Sequence, residues 1–152
     1  MFDGVFPTCD VSHPIVLPQG EHRIMMLTEE EKEMEKQKFL ILLHARDNEK
    51  AKALHALLYT QELKEAGYEV QLIFDGAGSV WADKFEDPES DLHPLYKEVK
   101  ALDVIGGACE FCAGAFGVKE QIQQREIPLL GQIKGHPSLV DWVKEGYHPI
   151  VL

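Results

Sequence analysis

From residue 38 onward, short continuous apolar runs alternate with polar segments that carry apolar residues at helical spacing. The first run is Phe39-Leu40-Ile41-Leu42-Leu43 and the second is Val70-Gln71-Leu72-Ile73-Phe74. Such runs are typical of strands that are buried on both faces, as in a parallel sheet covered by helices. The alternation continues to the last residue. It therefore predicts a βαβαβαβαβ order and an α/β fold with right-handed crossovers and helices on both faces of the sheet.

Caps and helix breakers place the predicted elements along the chain. The strands are expected over residues 39–43, 70–74, 103–106, 127–133 and 150–152. The helices are expected from an N-cap near residue 48 to about residue 66, over 80–85, over 94–102, from the cysteine motif to about 124, and over 137–145. This spacing does not give the order of the strands in the sheet.

Two of the three cysteines, Cys109 and Cys112, follow the third predicted strand and open the helix after it. Open α/β sheets bind their ligands at this edge. Unpaired backbone N–H groups and the helix dipole favour a thiolate at a helix start, and the thiolate is the reactive form of cysteine. We therefore predict that Cys109 and Cys112 are catalytic residues for redox, sulfur-transfer or metal chemistry.

Several neighbouring residues form the predicted binding set. His44 ends the first strand at the same edge and can polarise a thiol, although an ordinary loop histidine is the more common explanation for such a residue. Gly76 begins a glycine turn after the second strand that lacks the full dinucleotide-binding fingerprint. The charge of Glu110 opposes thiolate formation, whereas its carboxylate can accept a proton. Gly114 and Gly117 leave room for a substrate or another backbone.

The charge balance excludes several classes of function. Asp and Glu number 26 against 15 Lys and Arg, which gives a net charge of -11. This balance argues against nucleic acid or an anionic membrane surface as a partner. No apolar run approaches the roughly 20 residues that a membrane-spanning helix needs, and the first residues do not resemble a secretory signal. A cytoplasmic protein is expected, and no cofactor is predicted.

Residues 1–37 are expected to form an extension in front of an α/β domain of residues 38–152. Prolines and glycines interrupt any periodicity over the first 27 residues. Residues 28–31 read Thr-Glu-Glu-Glu, a capping box that predicts a short acidic helix over about residues 29–37. Apolar residues of the extension need cover, which favours a homo-oligomer.

The cysteine motif of residues 109–118, followed by Ile127-Pro128-Leu129-Leu130, resembles the DsrE/DsrF-like family, including its YchN type. Residues 38–43 and Phe74-Asp75-Gly76 fit the same pattern, and the resemblance covers about residues 38–152. It implies a three-layer α/β/α domain with a five-stranded parallel sheet, assembled as a homotrimer or hexamer. It also implies a role in intracellular sulfur relay, in which a cysteine after the third strand carries sulfur as a persulfide.

The resemblance also assigns individual residues. Cys112 matches the family cysteine at the helix start, Cys109 matches the one three residues earlier, and Gly117 matches a family glycine. Several relatives carry an arginine immediately before that glycine, where this chain has Phe116. The resemblance therefore does not supply an anion-binding arginine at this position.

Three functions remain open from the sequence. In the first, Cys112, or Cys109 in its place, takes sulfur from a donor protein and passes it to an acceptor protein, as a sulfurtransferase-like protein would. A dithiol redox protein would use the same pair. In the second, Cys9 and His13 join Cys109 and Cys112 in a structural Cys3His zinc site. In the third, the chain is a catalytically silent subunit of an oligomer.

Overall fold

The computed structural model describes residues 37–152 and, before them, residues 28, 29, 31 and 32. In this part of the chain, five strands alternate with six α-helices. The strands are β1 (Lys38–Leu43), β2 (Glu69–Phe74), β3 (Ile105–Cys109), β4 (Leu129–Leu130) and β5 (Tyr147–Val151). The helices are α1 (Lys50–Glu65), α2 (Trp81–Lys84, which continues a 3-10 turn over Gly76–Val80), α3 (His93–Ala101), α4 (Glu110–Ala115), α5 (Lys119–Gln124) and α6 (Leu139–Lys144).

The strands form one sheet in the order β4-β3-β2-β1-β5, and every neighbouring pair is parallel. The prediction of an α/β fold with a five-stranded parallel sheet is therefore confirmed. The chain steps outward from β1 to β4 and then returns to place β5 beside β1. Because such crossovers are right-handed, the first three connections lie on one face of the sheet and the returning connection, which contains α6, lies on the other.

The two faces of the sheet carry separate cores, because alternate residues of a strand point to opposite sides. On what we call the major face, Ile41 and Phe74 pack with helical side chains that are fully buried, namely Leu57, Tyr96, Val99 and Ile122. On the minor face, Leu40, Leu42, Ile73 and Tyr147 form a smaller cluster against which Trp142 of α6 packs. The result is a three-layer arrangement with unequal outer layers.

Two predicted elements are interrupted earlier in the structure than the sequence predicts. The strand predicted over residues 127–133 is limited to Leu129–Leu130, because the chain turns back on itself at Ile133, which forms an isolated bridge with His136. The helix predicted from the cysteine motif to residue 124 is split into α4 and α5. Gly117 interrupts it at φ 71°, where its N–H and that of Val118 donate to carbonyls of α4, an arrangement that ends helices.

The third strand is shifted along the chain relative to the prediction. It runs over Ile105–Cys109, whereas the sequence predicts residues 103–106, so it both begins and ends later than predicted. Cys109 therefore belongs to the sheet and caps the following helix, because its sulfur accepts a hydrogen bond from the N–H of Cys112.

The capping box predicted at residues 28–31 is present. The N–H of Glu31 donates to Thr28 Oγ1 at 3.1 Å, and the N–H of Thr28 donates to Glu31 Oε2 at 2.7 Å. Most of the predicted extension, including Cys9 and His13, lies outside the described residues. Within the described residues, no helix combines the length and the apolar character needed to cross a membrane.

Candidate functional site

The carboxyl ends of three neighbouring strands bring four chemically reactive side chains together. Cys109 ends β3, Cys112 lies in the first turn of α4, Asp75 follows β2, and His136 follows β4 beyond a turn. One ligand atom from each side chain lies within 4.8 Å of the others. We call these four residues the thiol cluster.

His136 lies between the two thiols of this cluster. Its Nδ1 is 3.2 Å from Cys109 Sγ and 3.8 Å from Cys112 Sγ. Cys112 Sγ also lies 3.8 Å from Asp75 Oδ1, to which the thiol can donate. Both cysteines are free thiols. Cys109 is fully buried and Cys112 is 8% exposed, so Cys112 is the more accessible of the two sulfurs.

A β-bulge in β3 decides the direction in which Cys109 points. The pairing of β3 with β2 shifts by one residue between Leu72 and Ile73, which leaves Gly106 as the extra residue. A shift of one residue moves every later side chain of a strand to the opposite face, so the bulge determines the side of the sheet that Cys109 faces. The next residue, Gly107, has φ 145°, and a Cβ there would meet a backbone carbonyl oxygen at 2.7 Å.

A tight turn places His136 in the cluster. Ile133 and His136 exchange two backbone hydrogen bonds of 2.9 Å, and the intervening Lys134 and Gly135 have φ 53° and 86°. Positive φ at both central residues is the geometry of a type I′ turn. The ring of His136 also packs against that of Phe111, with 4.8 Å between the centroids. The histidine is thereby held by backbone and side-chain contacts.

Asp75 is an anion held by two hydrogen bonds. His44 Nε2 lies 3.1 Å from Asp75 Oδ2, and the N–H of Gly76 donates to Asp75 Oδ1 at 2.8 Å. Burial alone would raise the pKa of Asp75, but the hydrogen bonds from His44 and Gly76 outweigh it and hold this pKa at about 2. The hydrogen bond to Asp75 in turn raises the pKa of His44. A negative charge therefore lies beside Cys112.

Cys109 is held as a neutral thiol. Burial raises the pKa of Cys109 to about 12, and the hydrogen bond that its sulfur accepts from the N–H of Cys112 does not compensate. The expectation that this position favours a thiolate is therefore wrong for Cys109. The physical reason is that a fully buried sulfur loses more hydration than α4, a helix of only 6 residues, can replace.

The predicted binding residues fall into two groups. His44 and Gly76 both contact Asp75 and so adjoin the thiol cluster. Glu110 instead pairs with Lys119, with 2.8 Å between the carboxylate and Nζ. At Gly114, a Cβ would have no neighbour within 4 Å, and Gly117 occupies the turn that ends α4.

Asp75 and His136 are candidate site residues that the sequence analysis does not identify. A usable signal exists, because each follows a predicted strand and the carboxyl ends of parallel strands meet at one edge of the sheet. For His136 the signal is weakened, since the predicted fourth strand extends into the turn that precedes this residue.

Two cavities open near the cluster. One has a volume of about 210 Å³ and is lined mainly by apolar side chains of the minor face, together with His44 and Asp75. The other has a volume of about 590 Å³ and is lined by His136 and its neighbours, namely Ile133, Lys134, Pro137, Ser138, Leu139, Val140 and Asp141. The first cavity shares Asp75 with the thiol cluster and offers a small molecule or a partner's side chain an approach to it.

Comparison with known proteins shows to which family this chain belongs. The model of the DsrE/DsrF-like family matches residues 37–152. The chain belongs to the DsrE/DsrF-like family. An uncharacterized protein of Methanocaldococcus jannaschii is 37% identical to it over 99 residues, which cover 65% of this chain and 78% of that protein. No solved structure matches the chain at a significant level. DsrE/DsrF-like proteins are associated with sulfur relay and often form oligomers.

Proposed function

We propose that this protein is a cysteine-based sulfur carrier, in which Cys112 holds the transferred sulfur as a persulfide. The observation that carries the proposal is the pair of free thiols at the sheet edge, of which Cys112 is partly accessible and Cys109 is fully buried. Membership of the DsrE/DsrF-like family supports sulfur relay as the class of reaction.

In the loading step, the Cys112 thiolate attacks the outer sulfur of a donor persulfide. A bond forms between Cys112 Sγ and that sulfur, the S–S bond of the donor breaks, and the donor leaves as a thiolate that takes up a proton. His136 Nδ1, at 3.8 Å from Cys112 Sγ, is positioned to accept the thiol proton before the attack. The exchange needs no external oxidant or reductant.

In the unloading step, a thiolate of the acceptor protein attacks the outer sulfur and Cys112 returns to the thiol form. A competing route begins when Cys109 attacks Cys112 Sγ. It forms a Cys109–Cys112 disulfide and releases hydrosulfide, and a thiol reductant must then supply two electrons. The raised pKa of Cys109 keeps little of it as thiolate, so the competing route is slow and the persulfide survives for transfer.

The proposal also includes the compartment, the partner proteins and the oligomeric state. We place it in the cytoplasm, where thiols are kept reduced, with a sulfur donor protein and a sulfur acceptor protein as partners. We also propose a homo-oligomer, a trimer or hexamer. Large apolar side chains support it, since Val140 and Val143 on α6 and Val151 on β5 are 61%, 52% and 60% exposed.

The intact mass of the reduced protein tests the carrier role after incubation with cysteine persulfide. We expect the wild type and Cys109→Ser to gain the mass of one sulfur atom, which a reductant removes, and Cys112→Ser to gain none. An adduct that persists in Cys112→Ser and is absent from Cys109→Ser would reverse the two roles. A wild type that stays unmodified while both thiols react with an alkylating agent would end the proposal.

A dithiol redox protein is the second candidate, because the two sulfurs lie within 4.8 Å of each other. It predicts that a mild oxidant removes two hydrogen atoms from the wild type, that a reductant restores them, and that neither serine variant undergoes the change. If this cycle occurs in a protein that accepts no sulfur, redox chemistry replaces sulfur transfer as the function.

A further inference from the structure

We propose that the thiol cluster binds one thiophilic divalent cation of the zinc class, with Cys109, Cys112, His136 and Asp75 as its ligands. The inference goes beyond sulfur transfer and does not rest on it, because metal-bound and sulfur-loaded protein are alternative states of the same thiols. The ligand set also differs from the Cys3His set predicted from the sequence, since Asp75 and His136 take the places of two residues of the extension.

The distances between the ligand atoms fit a tetrahedral ion. Zinc bonds to sulfur, nitrogen and oxygen ligands place neighbouring ligand atoms of a tetrahedron about 3.4–3.8 Å apart. In the thiol cluster, His136 Nδ1 lies 3.2 Å from Cys109 Sγ and 3.8 Å from Cys112 Sγ, which in turn lies 3.8 Å from Asp75 Oδ1. All four ligand atoms lie within 4.8 Å of one another, so small side-chain movements are sufficient to surround an ion.

The chemistry of the four ligands favours zinc over the hard cations. Thiolate sulfur and imidazole nitrogen bind zinc and related ions, whereas magnesium and calcium prefer oxygen ligands throughout. A Cys-x-x-Cys pair at the start of a helix supplies two sulfurs from one short segment. The carboxylate of Asp75 then provides a fourth ligand of a type that zinc also accepts.

Neighbouring residues hold the ligands in place, as they do around established metal sites. His44 Nε2 binds Asp75 Oδ2 and the N–H of Gly76 donates to Oδ1, so the carboxylate is held with Oδ1 near Cys112 Sγ. The type I′ turn and the ring of Phe111 fix His136. The ligands are shielded but not sealed, because Cys109 is fully buried while the side chain of Asp75 is 19% exposed. An ion can therefore enter past Asp75 and be removed by a chelator.

Metal binding would withhold both thiols from a sulfur donor. Each cysteine must lose its proton to bind the ion, so binding releases protons and ties up both sulfurs at once. The metal would then control the availability of the thiols, and its removal would restore them.

Titration of the reduced full-length protein with cobalt(II), followed by displacement with zinc, tests the site. We expect one ion per chain, visible bands of tetrahedral cobalt and a thiolate charge-transfer band. Cys109→Ser and Cys112→Ser should lose that band. Asp75→Asn and His136→Gln each remove a ligand and should weaken zinc binding at least about 100-fold, more than the loss of a residue that only hydrogen-bonds to a ligand. His55→Gln, on the exposed surface of α1, is the matched control and should bind as the wild type does.

Several outcomes would overturn the site. Binding lost in Cys9→Ser but retained in His136→Gln would assign the metal to the Cys3His set. Binding of equal strength in the wild type and in a double cysteine variant would show nonspecific binding only. Thermal unfolding of the metal-free variants shows whether each is folded.

His44→Gln leaves all four ligands in place and should still weaken binding about 10-fold.

Sulfur loading of the metal-free wild type separates this inference from the carrier proposal. If zinc binds tightly and the metal-free protein accepts no sulfur, the carrier proposal fails and the metal site stands. If the protein accepts sulfur but binds no zinc, the metal site fails and the carrier proposal stands.

Discussion

The major and minor faces of the sheet are covered to very different extents. On the major face, side chains from α1, α3 and α5 bury a continuous core that includes Tyr96 and Phe85, both fully buried. On the minor face, the cluster of four buried residues packs against Trp142 of α6, while Val140 and Val143 of that helix remain more than half exposed.

This difference in coverage indicates that the two faces have different roles: one stabilises the domain and the other is available to other molecules. Burial of apolar area supplies most of the favourable free energy of folding, so the major face should dominate stability. The minor face carries the exposed apolar side chains and the cavity that His44 and Asp75 line. It is therefore the face where we expect association with other chains.

Gly78→Ala should have the largest effect. A Cβ at this position, in the 3-10 turn after β2, would lie 1.8 Å from the carbonyl oxygen of Leu43 and 2.5 Å from its carbonyl carbon. Because both atoms belong to the backbone of β1, the clash cannot be relieved by a side-chain movement. We expect a loss of about 4 kcal/mol or more in the free energy of unfolding, measured by urea denaturation.

Gly114→Ala is the matched control for that substitution. A Cβ at Gly114 would have no neighbour within 4 Å, and the residue lies inside α4. Alanine should therefore leave the stability unchanged or raise it by about 0.5–1 kcal/mol, because glycine is the poorer helix former. Similar losses in both variants would contradict the steric explanation.

A pair of truncations compares the two faces directly. Phe85→Ala removes a fully buried ring that packs between Trp81 and Tyr96, and should cost about 3–5 kcal/mol. Trp142→Ala removes a partly exposed ring that packs edge-on against Tyr147, and should cost about 1–2 kcal/mol in dilute protein. A cost for Trp142→Ala that rises with protein concentration would show that another chain covers the minor face in solution.

Val140→Asp should change assembly and leave the fold intact. Val140 is 61% exposed on α6, and a charge there would be buried without a partner if this surface lies in an interface. Light scattering should show the variant shifting from an oligomer toward the 17.2 kDa single chain. Leu58→Asp, at a 39% exposed position of α1, is the control and should keep the oligomer. A wild type already present as the single chain would refute the proposed oligomer.

His44→Gln should have the smallest effect on stability, and this effect should depend on pH. Because the pKa of His44 is raised by Asp75, its contribution is fully present below the unfolded pKa of about 6.5 and is lost as the pH rises through the folded pKa. The stability difference from the wild type should therefore be largest near pH 5.5 and shrink toward about pH 8. Asp75 stays ionised throughout, since its pKa is about 2.

Denaturation curves of the wild type and His44→Gln at several pH values measure this trend. His55→Gln controls for the loss of a histidine elsewhere. A difference that grows with pH would contradict the proposed direction. The effect is small because the side chain of His44 is 44% exposed, so solvent screens the ion pair.

Sequence periodicity predicts most of the fold, and the exceptions have physical causes. The strand at residues 39–43 is identified because it is continuously apolar, and it lies inside the sheet between β2 and β5. The fourth strand is predicted too long, because the apolar Ile133 lies close enough after Leu129 and Leu130 to continue a strand. Lys134 and Gly135 instead form a turn that their positive φ values reveal. The break at Gly117 depends on backbone conformation in the same way.

The candidate site is predicted only in part. Cys109 and Cys112 are found because cysteines in this spacing are rare and lie at an informative place in the pattern. Asp75 and His136 are missed because they are distant in the chain from the cysteines. Asp75 lies 34 residues before Cys109, and His136 lies 24 residues after Cys112. Only the strand order and the type I′ turn bring their side chains to the cysteines.

The sequence by itself determined the α/β class, the parallel sheet and the position of the thiol pair at a strand-to-helix junction, because these depend on local spacing. The tertiary structure decided the strand order and the bulge that turns Cys109 toward the cluster. It also decided that Cys109 is a buried neutral thiol whose neighbours are His136 and an ionised Asp75. The reason is physical: burial and charge at a site come from residues distant in the chain, which no local pattern contains.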